Sequence, residues 1–212
     1  MRSTPRLSRR ALWVVACLWL AGTAAGLHQL WAYANRAGEA GATSAVWPVE
    51  SQLARDPQRA TLITFIHPMC PCSKATAEEL AHVMARCDGK VNVLVVAIQP
   101  AEAPQEWRDS ALIRQFGAIP NVKLCEDRGG VETMRFGART SGHTCLYDAA
   151  GRLLFSGGIT SARGHEGDNA GSDAIVALVQ NQHADQASTP VFGCSLVGEA
   201  AVKESGEQAR VK

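Results

Sequence analysis

Four arginines, Arg2, Arg6, Arg9 and Arg10, precede the first acid of the chain, and Ala11 to Asn35 then runs without a formal charge. Its most apolar part, Ala11 to Leu27, extends past His28 and Gln29 to Tyr33, and as a helix rising about 1.5 Å per residue it would cross a bilayer core. Trp31 and Tyr33 would then lie at an interface, and the arginines would hold the N-terminus in the cytoplasm. The pattern thus predicts a single-pass anchor in the cell inner membrane, with everything after it facing the periplasm or the cell exterior. Ala24, Ala25 and Gly26 are small enough to offer a cleavage site, which is the other use of such a segment. Cys17 is expected to be a membrane-buried thiol without a role.

The remaining pattern predicts alternating strands and helices. Thr61 to Ile66 is a β-branched and aromatic run stopped by His67-Pro68, as in a buried strand. Lys74 to Arg86 places Ala77, Leu80, Ala81 and Met84 at helical spacing, with Asp88-Gly89 as the stop signal. Val91 to Ile98 is apolar throughout, as a strand covered on both faces should be. Further elements are a helix over 106–116, a short strand over 121–124, a short helix over 131–136, a hairpin of 144–147 with 152–155, and a helix over 173–180. The expected partition is a basic cytoplasmic segment 1–10, an anchor 11–33, a linker 34–58, an α/β domain 59–183 with a central mixed sheet flanked by helices, and a tail 184–212. The linker reads as a tether because Ala37 to Ser51 is rich in Ala and Gly.

Composition narrows the classes. The 212 residues hold 21 basic and 20 acidic side chains and are 46% apolar, too core-rich for disorder and too evenly charged to suggest a nucleic-acid partner. Seven cysteines remain to be explained. Two of them, in Cys70-Pro71-Cys72, fall where the first strand feeds a helix, and there unpaired N–H groups and the helix dipole favour thiolate over thiol. Two thiols one residue apart close only into a small ring, and strained disulfides are the reactive ones.

Thr64 to Cys70 followed by a helix, and Arg139 to Asp148 followed by Gly151-Arg152-Leu153-Leu154, resemble the redox-active segment and the later cis-proline segment of the thioredoxin fold. The resemblance covers about residues 59 to 183. It is nearest to the membrane-anchored extracytoplasmic TlpA and ResA type, and within it to RedB proteins. It implies a thiol-disulfide oxidoreductase acting on protein thiols and disulfides without a cofactor, with Cys70 as the attacking cysteine. In this chain Ser73 stands where the second family cysteine falls, Gly142 stands where the cis-proline falls, and Met69 replaces a tryptophan.

Cys70, Cys72 and Cys194 are therefore the candidate catalytic residues, with His67, Pro71, Gly142 and His143 in support. Cys194 is a candidate because a lone cysteine in a tail outside the cytoplasm has no core to fill and suits a disulfide. His143 is expected at the mouth beside Cys70, and the loop 160–171, with Arg163, His165, Glu166 and Asp168, is expected over the same edge; Asp168 or Ser172 would cap the last helix. Cys87 and Cys145 read as small apolar fillers, and Cys125 as a possible resolving partner. The alternative is a Sco-like accessory protein that holds copper through Cys70, Cys72 and His143 or His67, since soft thiolates suit copper and Gly142 has no ring to block approach.

Overall fold

The computed structural model describes residues 8–87, 89–100, 104–180 and 182–196. Arg2 and Arg6, the stop residue Asp88 and the tail beyond 196 lie outside the described residues. The chain divides into two compact units, Met1–Arg36 and Ala37–Lys212.

The first unit is a helix, α1 (Arg9–Ala34), whose N-cap Ser8 accepts a hydrogen bond from the Ala11 N–H. Its 26 residues are long and apolar enough to cross a membrane, with a mean hydropathy of 1.6 in the most apolar window and none of that window buried.

In the second unit five strands form one sheet in the order β3-β2-β1-β4-β5. β1 (Ala60–Ile66), β2 (Val91–Gln99) and β3 (Val122–Arg128) run parallel, whereas β4 (His143–Tyr147) and β5 (Leu153–Gly157) are antiparallel additions beside β1. The helices are α2 (Ser73–Cys87), α3 (Gln105–Arg108), α4 (Ala111–Gly117), α5 (Val131–Arg135) and α6 (Ala170–Val179). This mixed sheet, with a parallel β-α-β unit followed by an antiparallel hairpin, is the thioredoxin-like arrangement.

Strand alternation sorts β1 between two cores. Leu62 and Ile66 join Leu80 and Val83 of α2, Phe116 of α4 and Ile175 of α6 on one face. Ile63 and Phe65 join Phe136, Cys145 and Tyr147 on the other. Because helices or loops cover both faces, β1 and β2 need no polar alternation, which is why both read as nearly unbroken apolar runs. The expected helix over 106–116 is two helices: Ser110 leaves helical geometry and caps α4 by accepting from the Ile113 N–H.

The 37–58 segment differs from the tether expected. Trp47 packs edge-on against Phe136 and Tyr147 with centroids 5.1 and 5.4 Å apart. The Ser51 hydroxyl and the Gln52 N–H donate to Glu132 at 2.6 and 3.1 Å, and Val46 bridges to Arg152 beside β5. Few large apolar residues carry this packing, so composition alone resembles a tether. The tail also packs, with Val191 and Leu196 buried.

Candidate functional site: three thiols at the end of the first strand

β1 ends at Ile66, and 67–72 turn into α2. The Cys70 N–H donates to the His67 carbonyl at 2.9 Å and the Ser73 N–H to the Cys70 carbonyl at 3.2 Å, so Cys70 is fixed just ahead of the helix. Its side chain is buried, at 3% exposure. Cys194 covers it, with the two Sγ atoms 2.9 Å apart. The sulfurs of Cys70, Cys72 and Cys194 all lie within 4.8 Å of one another.

Burial pushes the Cys70 thiol up, but hydrogen bonds from the Cys194 thiol and N–H and from the Ser73 hydroxyl and N–H outweigh it, and the balance is downward. Cys194 is pushed up to about 12 by burial and by its position as donor beside the Cys70 sulfur. Of the two thiols, Cys70 is therefore the one that gives up its proton first. Cys72, half-buried, is raised by burial and by the Cys70 charge, while Arg163 acts in the opposite direction. Arg163 also donates to the Gly193 carbonyl, so one guanidinium reaches both the thiols and the tail.

Ser73 links the thiolate to the neighbouring loop. Its hydroxyl lies 2.7 Å from that of Ser141, which accepts from the His67 N–H at 2.8 Å. Three residues after Cys70 this chain thus has a hydroxyl that stabilises the Cys70 thiolate. His67 accepts from the Met69 N–H through Nδ1 at 3.1 Å and lies against Trp107 with centroids 4.8 Å apart. Burial lowers its pKa. Trp107 carries no sequence signal beyond its size, and sequence reasoning passed over it.

Gly142 adopts φ +92°, and an added Cβ would lie 3.0 Å from the Thr76 hydroxyl, so both backbone and space restrict the position. No cis peptide bond occurs among the described residues. Pro71 fills the turn between the two cysteines and lines an open groove of about 500 Å³ with Pro68, Met69, Lys74, Ala111 and Leu112.

His143 is not at the mouth. It is buried, with Nε2 at 2.8 Å from the Ser156 hydroxyl and 3.2 Å from that of Thr43, and its Nδ1 has no partner. Burial holds it at about 4. Its strand parity places it with Cys145 and Tyr147, toward the second core. Among the described residues the metal-compatible group holds neither His143 nor His67 but three cysteines. His165, Glu166 and Asp168 are likewise outside it, and the cap of α6 is Asn169, which accepts from the Ser172 N–H at 2.8 Å. Cys87 and Cys145 are fully buried in the two cores, and Cys125 lies half-buried against the second core, apart from the three thiols.

No family model and no curated relative matches the sequence. Among solved structures, a hypothetical protein of Sinorhizobium meliloti superimposes with a TM-score of 0.56 at 20% identity, covering 76% of this chain and 95% of its own. An uncharacterised conserved protein of Geobacillus kaustophilus gives 0.55 at 19% identity, covering 78% and 93%. A secreted disulfide oxidoreductase of Mycobacterium tuberculosis gives 0.43 at 17% identity over 59% of this chain and 83% of its own, too loose a likeness to bear on function. At these identities the first two likenesses speak for a shared fold alone.

Proposed function

We propose that this chain is a membrane-anchored, extracytoplasmic thiol-disulfide oxidoreductase of the TlpA and ResA type, resembling RedB proteins, in which Cys70 attacks and Cys194 resolves. The observation that supports this reading is the 2.9 Å separation of the Cys70 and Cys194 sulfurs, since a shift below about 1 Å closes a bond of about 2.05 Å. The Cys70 thiolate attacks one sulfur of a substrate disulfide, and the other sulfur leaves as a thiolate. Cys194, once deprotonated, attacks the Cys70 sulfur and expels the substrate as a second thiolate, leaving a Cys70–Cys194 disulfide. Two electrons pass from the chain to the substrate, and the reverse sequence oxidises a dithiol. Cys72 is a second thiol within reach.

α1 and the arginines before it support anchoring in the inner membrane with the domain outside the cytoplasm. The test is reduction of a protein disulfide by the reduced full-length chain in detergent. Turnover should vanish in Cys70→Ser, and Cys194→Ser should accumulate a mixed disulfide on non-reducing gels. Undiminished turnover in Cys70→Ser would reject the reading.

A second reading, copper handling, is favoured by one observation: three soft sulfur ligands converge. Cys194 would then serve in place of His143. Elemental analysis of the reduced, copper-exposed chain decides it, since one copper per chain, lost in Cys194→Ser, is required.

A further inference from the structure

Cys70 is buried because the tail crosses the surface that a substrate must approach. Segment 187–196 is stitched down along its length. The Ser156 N–H donates to the Ala187 carbonyl at 3.1 Å, and the Thr189 hydroxyl to the Gly158 carbonyl at 2.7 Å. The Gly38 N–H donates to the Val191 carbonyl at 2.8 Å. Near the thiols the tail pairs backbone to backbone with 139–141. There the Ser141 N–H donates to the Cys194 carbonyl and the Leu196 N–H to the Arg139 carbonyl, both at 2.8 Å, around an antiparallel bridge of Thr140 with Ser195.

We infer that the 139–141 ledge is a docking surface for an extended segment of a partner protein that carries the target cysteine with a glycine immediately before it, and that residues 192–196 are its resident template. This rests on the thiol-exchange reading above and names the substrate class for it. Register is the first argument. Side chains of an extended strand alternate, so only one pairing with 139–141 delivers a sulfur to Cys70. In the tail that pairing has the cysteine carbonyl on the Ser141 N–H and the N–H two residues later on the Arg139 carbonyl.

Steric fit is the second. A Cβ at Gly193 would run into the Ser141 carbonyl oxygen and come within 3.4 Å of Thr140 Cγ2, and both belong to the ledge. A segment with a side chain at that position must stand off, and it then loses the two backbone hydrogen bonds that set the register. The third is the position two residues after the cysteine, where Leu196 is buried in the core that holds Phe65 and Phe136. A large apolar residue there completes the match. The Ser141 N–H and the Arg139 carbonyl, which now hold the tail, offer an incoming strand the same two hydrogen bonds, and the tail must leave for a partner to enter.

The test uses the reduced full-length chain in detergent and a peptide copying residues 191–196, its cysteine joined by a disulfide to thionitrobenzoate. Attack of the Cys70 thiolate on the peptide sulfur releases coloured thionitrobenzoate and leaves a Cys70–peptide disulfide, which Cys194 resolves. A second peptide has alanine in place of the glycine, and rates with free glutathione normalise the intrinsic reactivity of the two. The alanine peptide should react at least about tenfold more slowly, the loss of one to two backbone hydrogen bonds. Equal normalised rates would overturn the docking inference while leaving the exchange chemistry in place. Failure of both peptides and of a small aromatic disulfide to oxidise Cys70 would remove the exchange reading and the inference together.

Discussion

Replacing Cys194 by alanine should raise the pH at which Cys70 becomes reactive. Cys70 as a residue is 3% exposed, and burial alone disfavours the thiolate, but the thiol and N–H of Cys194 with the hydroxyl and N–H of Ser73 reverse that penalty. Alanine removes the thiol donor, 2.9 Å away, and leaves the backbone N–H. A hydrogen bond to a charged group contributes about 1.5–3 kcal/mol, so the thiolate fraction below the midpoint should fall roughly ten- to hundredfold. Serine is a poorer probe, because its hydroxyl can donate in the same place. The assay is alkylation of the reduced chain by iodoacetamide from about pH 5 to 10, with the Cys70 peptide quantified by mass spectrometry. The midpoint reads charge stabilisation, and the plateau at high pH reads access. The midpoint should rise, and the plateau should also rise if the tail loosens. A midpoint unchanged or lowered, in a variant that unfolds at the wild-type temperature, would refute the argument that Cys194 stabilises the thiolate.

Gly193→Ala should lift the chain's own tail from the ledge and speed alkylation of Cys70 at high pH; an unchanged rate would mean that the tail does not control access. Trp47→Ala should cost about 2–3 kcal/mol in urea unfolding, given its half-buried contacts with Phe136 and Tyr147, whereas a tether would show no loss. Burial holds His143 at about 4 against an ordinary 6.5, so the unfolded chain takes up its proton first as pH falls. Stability should therefore be fully present above about pH 6.5 and decline toward pH 4 by about 3 kcal/mol in all, and His143→Gln should flatten that decline in urea titrations. After carbonate washing the full chain should remain with membranes; recovery as a soluble protein beginning near Gly26 would make α1 a cleaved signal.

The elements with strong periodicity were legible to within a residue or two. β1, α2 and β2 are bounded by His67-Pro68 and Gly89, and their apolar positions leave no second pattern. β3 runs four residues beyond its expected end at Leu124, because Glu126 and Arg128 lie on an exposed edge strand and look like loop, while the buried Asp127 accepts from the Glu132 and Thr133 N–H groups of α5. The role of segment 37–58 was not legible, since its attachment depends on Trp47 and on hydrogen bonds to Glu132 that no periodicity marks. At the site, Cys70 follows from its place at a strand end, and Cys194 could be singled out because a tail cysteine beside Pro190, Phe192 and Gly193 has no core to fill. His143 was expected at the mouth, just ahead of a strand beginning at Thr144, but it is the first residue of β4 and shares the face of Cys145 and Tyr147. Arg163 was expected over the same edge with its loop, and it reaches Cys72 there. Its second contact, with the Gly193 carbonyl, depends on the path of the tail, which local sequence does not encode.

Exchange through Cys70 and Cys194 requires that these two cysteines pair. Full-length protein in detergent, oxidised with limiting disulfide reagent and digested without reduction, should yield a peptide linking Cys70 to Cys194, with Cys72 still open to alkylation. A link between Cys70 and Cys72, or seven unpaired thiols after an oxidation that does proceed on a control dithiol, would contradict it.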